Sequence, residues 1–353
     1  MSAGSERMAI TVWKSFSLAL STIALASISD NTAFARDYVM AQTWSFDASS
    51  TGYLAAQDRG YFKDNGVNIK VERGIGASDT LRRLITGDAN FAVFDATLLV
   101  RAATADPNAQ LIMVANILQR SSHTVIYVKG RNIKALGDLA KAKFGDTGGS
   151  VAQLFPTFMK YAMKVAGQPA DKFESVQLDP ALRVPALLRG DVDVIAAFTF
   201  EMPLIAARAK EAGLDLGKFD FADYGMNPYT YGIMVTRKLA ESDPDAVRGA
   251  VAGVLEGWRW VCQNPPEAAK FVVKYHTDVP PETIPDELSI LLPDVGGADV
   301  QAHGLGYMNP KRWEETRQLS IAGFKLDEKT VPSVDNIFDS RFLPKAPVRA
   351  DCK

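Results

Sequence analysis

The side chains with most scope for chemistry sit at turns that follow short apolar runs. Thr43-Trp44-Ser45-Phe46-Asp47 follows the first run, Gly74-Ile75-Gly76-Ala77-Ser78 the second and Asp95-Ala96-Thr97 the third. Further along, Asp146-Thr147-Gly148-Gly149-Ser150 precedes a long helical pattern and Phe198-Thr199-Phe200-Glu201 follows an apolar run, while Tyr224, Tyr229 and Tyr231 flank another. These turns carry aromatic rings, carboxylates, hydroxyls and backbone donors, but no Lys or Arg. Such a set suits recognition of a flat, neutral or cationic ring. Stacking contributes about 0.5–1.5 kcal/mol per ring beyond burial, and a charge-assisted hydrogen bond about 1.5–3 kcal/mol. A nitrate or sulfonate site wants a cation or many donors instead. The expected ligand contacts are Trp44, Phe46, Asp47, Gly76, Asp95, Thr147, Gly148, Gly149, Ser150, Phe198, Glu201, Tyr224 and Tyr229.

Each position also has a plainer reading. Trp44 or Phe46 could close a core, and glycine-rich turns are commonly only turns. The Asp146–Ser150 turn adds a helix N-terminus to its backbone donors, an arrangement that favours a polar or anionic group. Glu201 could be a solvated carboxylate that complements a helix dipole.

Catalytic constellations are absent from the spacing. No phosphate-loop or nucleophile-elbow motif occurs, and Gly74-Ile75-Gly76 lacks the third glycine of a dinucleotide fingerprint. His123, His276 and His303 are too far apart to form a His-x-x-x-His pair. The two cysteines, Cys262 and Cys352, do not have metal-site spacing. They could form a bridge that pins the C-terminal tail, or remain free. No catalytic residue, metal or cofactor is expected.

The chain has 353 residues, 47% hydrophobic and 23% charged, with a formal net charge of −2. This is a globular balance of about two domains, without the positive field that nucleic acid requires. Residues 1–35 read as a signal peptide for export to the periplasm. Arg7 and Lys14 precede the apolar run Phe16 to Ile28, and Ala33-Phe34-Ala35 is a small-x-small cleavage site. Beyond it, strands alternate with helices. Strands are expected at Tyr38–Gln42, Val67–Glu72, Phe91–Phe94, Gln110–Ile117, Thr124–Val128, Lys143–Gly145, Ser175–Gln177, Val192–Ala197 and Tyr231–Val235. That rhythm predicts an α/β fold with largely parallel sheets. From Asp243 onward the pattern is helical: Asp243-Pro244 and Asn309-Pro310 open helices, and Gly323 is placed to end the second. The expected organisation is a first lobe over residues 36–125, a second over 126–232, and a return to the first over 233–353. Ligands of open α/β sheets sit on the loops at the carboxyl ends of strands, which here would line a hinged cleft.

Three short segments carry a resemblance. Gly60-Tyr61-Phe62-Lys63-Asp64-Asn65-Gly66-Val67, Gly87-Asp88-Ala89-Asn90-Phe91-Ala92-Val93 and Gly190-Asp191-Val192-Asp193-Val194-Ile195 resemble the signatures of ABC-importer solute-binding proteins. The branch is the one for nitrate, sulfonate, taurine and thiamine-pyrimidine precursors. The resemblance implies a type II periplasmic binding protein fold: two α/β lobes around a hinged cleft, acting as a monomer that delivers a small molecule to an ABC permease. Ala196-Ala197-Phe198-Thr199-Phe200-Glu201 and Asp223-Tyr224-Gly225-Met226-Asn227-Pro228-Tyr229 are similar to segments of the thiamine-pyrimidine binders, and Trp44 matches the tryptophan of their first loop. By that likeness Phe198 stacks on a pyrimidine and Glu201 binds its amino group. The first loop departs from the pattern, without its Pro, Asn or His, so an aromatic acid, a sulfonate or nitrate are alternative ligands. Pyrimidine synthases share the implied fold, but their cysteine-rich CCCFC run is missing here.

Overall fold

A computed structural model describes residues 36–169, 173–275 and 280–353. The expected signal segment and His276 lie outside the described residues. The strands in chain order are β1 (Asp37–Ala41), β2 (Asn68–Glu72), β3 (Phe91–Asp95), β4 (Leu111–Asn116), β5 (His123–Val128), β6 (Lys143–Asp146), β7 (Glu174–Gln177), β8 (Val194–Phe198), β9 (Leu216–Asp220) and β10 (Tyr231–Thr236). They form two five-stranded sheets, ordered β2-β1-β3-β10-β4 and β7-β6-β8-β5-β9.

The two orders are the same pattern used twice. In the first sheet β1 pairs in parallel with β2 and β3, and β10 runs antiparallel beside β3. In the second, β6 pairs in parallel with β7 and β8, and β5 takes the antiparallel place. Each antiparallel strand is therefore the one that enters its lobe from the other. The chain crosses between the sheets at residues 117–122 and returns at 221–230, so the two lobes share a two-segment hinge.

Both faces of each sheet are covered, as parallel sheets require. On one face of the first sheet, the helix Pro244–Gln263 buries Val247, Val251, Val254 and Trp258 against the helix Thr51–Asp58. Asp243 caps it as expected, its side chain accepting a bond from Ala246 N at 3.2 Å. The other face packs on Leu99, Trp313 and Ile337. In the second lobe Phe144, Phe155 and Phe158 fill one face, and Ile126, Leu187 and Ile205 the other.

Two expectations need correction. β9 has no counterpart in the sequence reading, because Gly217 and Lys218 interrupt its apolar character; its edge place beside β5 is fixed by pairing rather than by pattern. Gly323 does not end its helix, which runs Pro310–Phe324 and closes at Lys325 in the left-handed region. Gly323 instead allows close approach to the second lobe, since a Cβ there would lie 2.4 Å from Leu154 Cδ2. The helix thus straps both lobes, touching the helices Ala96–Ala105 and Ser150–Ala166.

Cys262 and Cys352 form a disulfide, which ties the C-terminal arm to the long helix Pro244–Gln263. The arm is mostly extended, with Leu305 N donating to Val348 O at 2.8 Å.

The contact between the helices Thr51–Asp58 and Pro244–Gln263 is glycine-dependent. A Cβ on Gly257 would lie 2.1 Å from Gly52 O. Gly→Ala inside an exposed helix gains about 1 kcal/mol. Here Gly257→Ala should instead cost about 1–3 kcal/mol through overpacking, read as a lower denaturant midpoint. A midpoint that rises would show that the two helices part freely.

Candidate functional site

Between the sheets lies a cleft of about 910 Å³, lined by strand-to-helix loops of both lobes. The first lobe supplies Trp44, Phe46 and Asp47 after β1, Gly76 after β2 and Asp95 at the end of β3. The second supplies Thr147, Gly148, Gly149 and Ser150 after β6, and Phe198 and Glu201 at the end of β8. Trp44 and Glu201 thus line the same gap from opposite lobes. Trp44 is 53% exposed, so it is not a core residue. Gly76 has φ 141° and caps the helix Ala77–Thr86, a conformation closed to residues with a side chain.

Two expected contacts lie elsewhere. Tyr229 is fully buried; its hydroxyl accepts from Asn309 N at 3.0 Å and the Arg312 guanidinium covers its ring. Tyr224 packs edge-on against Phe158 and Phe219 in the second lobe. Neither lines the cleft. Tyr231 does, because β10 turns its side chain toward Phe198, with ring centroids 5.3 Å apart. The tyrosine pattern alone could not separate these three, since only the strand start at Tyr231 decides which ring faces inward.

The aromatic floor is layered. Phe198 stacks on Phe200 at 5.5 Å with 9° between planes and meets His123 at 5.6 Å. Phe198 is therefore already packed from several sides, whereas Trp44 stands open to solvent.

Carboxylates ring this floor. Asp47 accepts from Ser49 N at 2.8 Å and Ser49 Oγ at 2.5 Å, which caps the turn at Ala48–Ser50. Burial pushes its carboxyl up to about 7, and the charges of Glu287 and Glu201 add to the rise against the Ser49 bonds. Glu287, on the helix Ile284–Val295, was not foreseen, because the C-terminal helices carry no turn signal that points to the cleft. Burial also raises it, with Thr283 Oγ1 bonded to it at 2.8 Å. Asp95 behaves differently. Burial alone would raise it, but His123 Nε2 at 3.1 Å, the Thr97 hydroxyl at 2.5 Å and the donor Leu98 N hold it below the ordinary carboxylate range. The Asp95–His123 pair joins the end of β3 to the start of β5, across the hinge.

Glu201 is already engaged. One oxygen accepts from Phe198 N at 2.7 Å, and the other pairs with Arg183. Arg183 also donates to Ala196 O at 2.8 Å. The strand-end turns carry no Lys or Arg, yet the cleft has cations: Arg101, Arg183 and Arg208 all line it. They come from helices rather than from the strand-end turns. Among the described residues no cluster of His, Cys, Asp and Glu could hold a metal ion, and no helix is long and apolar enough to cross a membrane.

Comparison with known proteins places this geometry. A model of the family described as NMT1/THI5 like matches residues 47–268, from Asp47 in the first cleft loop to the helix that follows Cys262. A Haemophilus influenzae protein named for thiamine biosynthesis is 23% identical over 294 residues, covering 82% of this chain and 86% of that protein. Among solved structures, the periplasmic aliphatic sulphonate binding protein of Escherichia coli superposes with a TM-score of 0.65 at 18% identity, covering 87% of this chain and 99% of the other. The periplasmic nitrate-binding protein of Synechocystis gives 0.66 at 12% identity, covering 88% and 87%. The ligand-binding component of an ABC-type import system from Staphylococcus aureus gives 0.66 at 10% identity, covering 87% and 97%. The chain has the periplasmic binding protein fold.

Proposed function

The chain belongs to the NMT1/THI5 like family, and from that premise we propose that it is the extracytoplasmic solute-binding component of an ABC-type importer, which captures a small heteroaromatic molecule by closing its two lobes. The observation that carries this reading is the cleft itself. Its volume of about 910 Å³ suits one small solute, and it offers an exposed tryptophan on one lobe against an aromatic stack on the other. Its loops come from both lobes, so hinge closure would bury the guest. The fold neighbours support the transport role, and the thiamine-named relative supports a pyrimidine-like ring. A synthase-like reading is disfavoured because both cysteines are bonded to each other, away from the cleft lining. Export through the N-terminal segment and a monomeric state belong to the same proposal.

A thermal-shift screen tests it, because a ligand that binds only the folded state raises Tm. Aminopyrimidines should raise Tm and nitrate should not. Stabilisation by nitrate alone would overturn the heteroaromatic reading.

Asp47 should make binding depend on pH. Its folded pKa is raised, so its contribution to apo stability is full below the unfolded value near 4 and is lost as pH rises through about 7. The ionised carboxylate accepts from a ring amino group about twice as strongly as the neutral acid does. Affinity for 4-aminopyrimidine should therefore rise about tenfold between pH 6 and pH 8, measured by calorimetry. Asp47→Asn should flatten that profile and leave only the ligand's own titration. A profile as steep in Asp47→Asn as in the wild type would remove Asp47 from the site.

A further inference from the structure

Glu201, by resemblance the partner of a ring amino group, has both carboxylate oxygens occupied, by Phe198 N and by Arg183. Arg183 opens the helix Arg183–Arg189 just after Pro180 and Ala181, which also line the cleft. A guanidinium has five N–H donors. Its bonds to Ala196 O and Glu201 use one donor on each terminal nitrogen. The side chain is 22% exposed and lines the cleft, with three N–H donors outside these two bonds. Two bonds fix its planar fork, the geometry that matches an oxyanion in bidentate fashion.

The same lobe adds a second donor group. The helix Ser150–Ala166 has no side-chain cap at its N-terminus, where Gly149 stands. Ser150 is 5% exposed and lines the cleft. The first lobe presents the opposite polarity, with Asp47 and Glu287 facing the same space.

We propose that Arg183 determines specificity by binding an oxyanion substituent on the ring, so that the solute is an amphoteric heteroaromatic with its N–H groups toward Asp47 and its anion toward Arg183. This rests on the heteroaromatic reading above. Glu201 is then a positioning residue that holds the Arg183 fork, rather than a group that touches the ligand.

The test uses pairs of probes, one anionic and one neutral, on the full chain. One pair is 4-aminopyrimidine-5-carboxylate and its carboxamide; the other is 4-aminopyrimidine with a phosphomethyl or a hydroxymethyl arm at C5. Calorimetry gives the ratio of Kd values within each pair, and the apo Tm of every variant checks its fold. In the wild type the anionic member of at least one pair should bind tenfold or more tightly, and which pair does so separates a carboxylate from a phosphate. Arg183→Met should bring the ratio to about one, Arg183→Lys should keep part of it, and Glu201→Gln should reduce it. Because Arg183→Met leaves Glu201 unpaired, the double variant with Glu201→Gln provides a folded check on the same ratio. A wild-type ratio near one, or a preference that survives Arg183→Met, would overturn the assignment and leave the heteroaromatic reading standing. If no member of either pair binds, the heteroaromatic reading fails and this assignment with it.

Discussion

Asp95→Ala is expected to lower the folding free energy by about 2–4 kcal/mol, the cost of losing a helix cap together with leaving a buried polar partner unsatisfied. Asp95 and His123 are both essentially inaccessible, at 2% and 0%. Asp95 caps the helix Ala96–Ala105 through Thr97 N and Leu98 N while its other oxygen meets His123 Nε2. Because the carboxylate is ionised, Nε2 is the protonated nitrogen and the donor. Nδ1 is buried without a partner among the described residues. Removing Asp95 would leave the whole imidazole unpaired in an apolar site beside Phe198 and Phe221, where a lost partner costs most. The sign with pH is fixed as well. Asp95 is held below its ordinary range, so its stabilisation is present above the unfolded value near 4 and is lost as pH falls through the folded value. The stability gap between wild type and Asp95→Ala, measured by denaturant titration, should shrink toward acid pH. A variant within about 1 kcal/mol of wild type at pH 7 would mean that the hinge does not depend on this pair.

Trp44→Ala should have the opposite signature: a nearly unchanged apo Tm and a loss of solute affinity of about tenfold or more. The ring is 53% exposed, so little burial is forfeited when it goes. In the closed clamp it would cover one face of the guest, contributing stacking of about 0.5–1.5 kcal/mol together with the buried area of a large ring. Phe198 cannot serve as the same clean probe. It is packed against Phe200, Tyr231 and His123, so Phe198→Ala would loosen the hinge and the site together. Trp44→Phe should recover part of the affinity. Equal affinity in wild type and Trp44→Ala, with the fold intact, would show that the guest does not reach the first loop.

Much of this architecture was legible in the residues. The strand-to-helix turns at Trp44, Gly76, Asp95, Gly148 and Phe198 stood out because aromatic, glycine and carboxyl residues interrupt apolar runs, and all five line the cleft. The order in which such turns meet was implied by alternating strands and helices. What escaped reading depends on tertiary placement. β9 is held by its neighbour β5 and not by its own pattern. Arg183 and Glu287 reach the cleft from helices whose surface and core faces look alike in sequence. Tyr229 and Tyr231 differ only in whether the ring meets the Pro310–Phe324 strap or the cleft floor. Gly323 illustrates the same point: a helix-stop residue by type, it serves close packing on Leu154.

Two lobes that shut around a guest must approach one another when it binds. Ile85 in the first lobe and Leu182 in the second are exposed, and neither lines the cleft. The native cysteines are consumed by their own disulfide. Fluorophores on Ile85→Cys and Leu182→Cys would therefore report the lobe-to-lobe distance by energy transfer. At saturation with a compound that raises Tm, that distance should shorten to a single narrower population. A distance unchanged at saturation would contradict closure and, with it, the binding-clamp account.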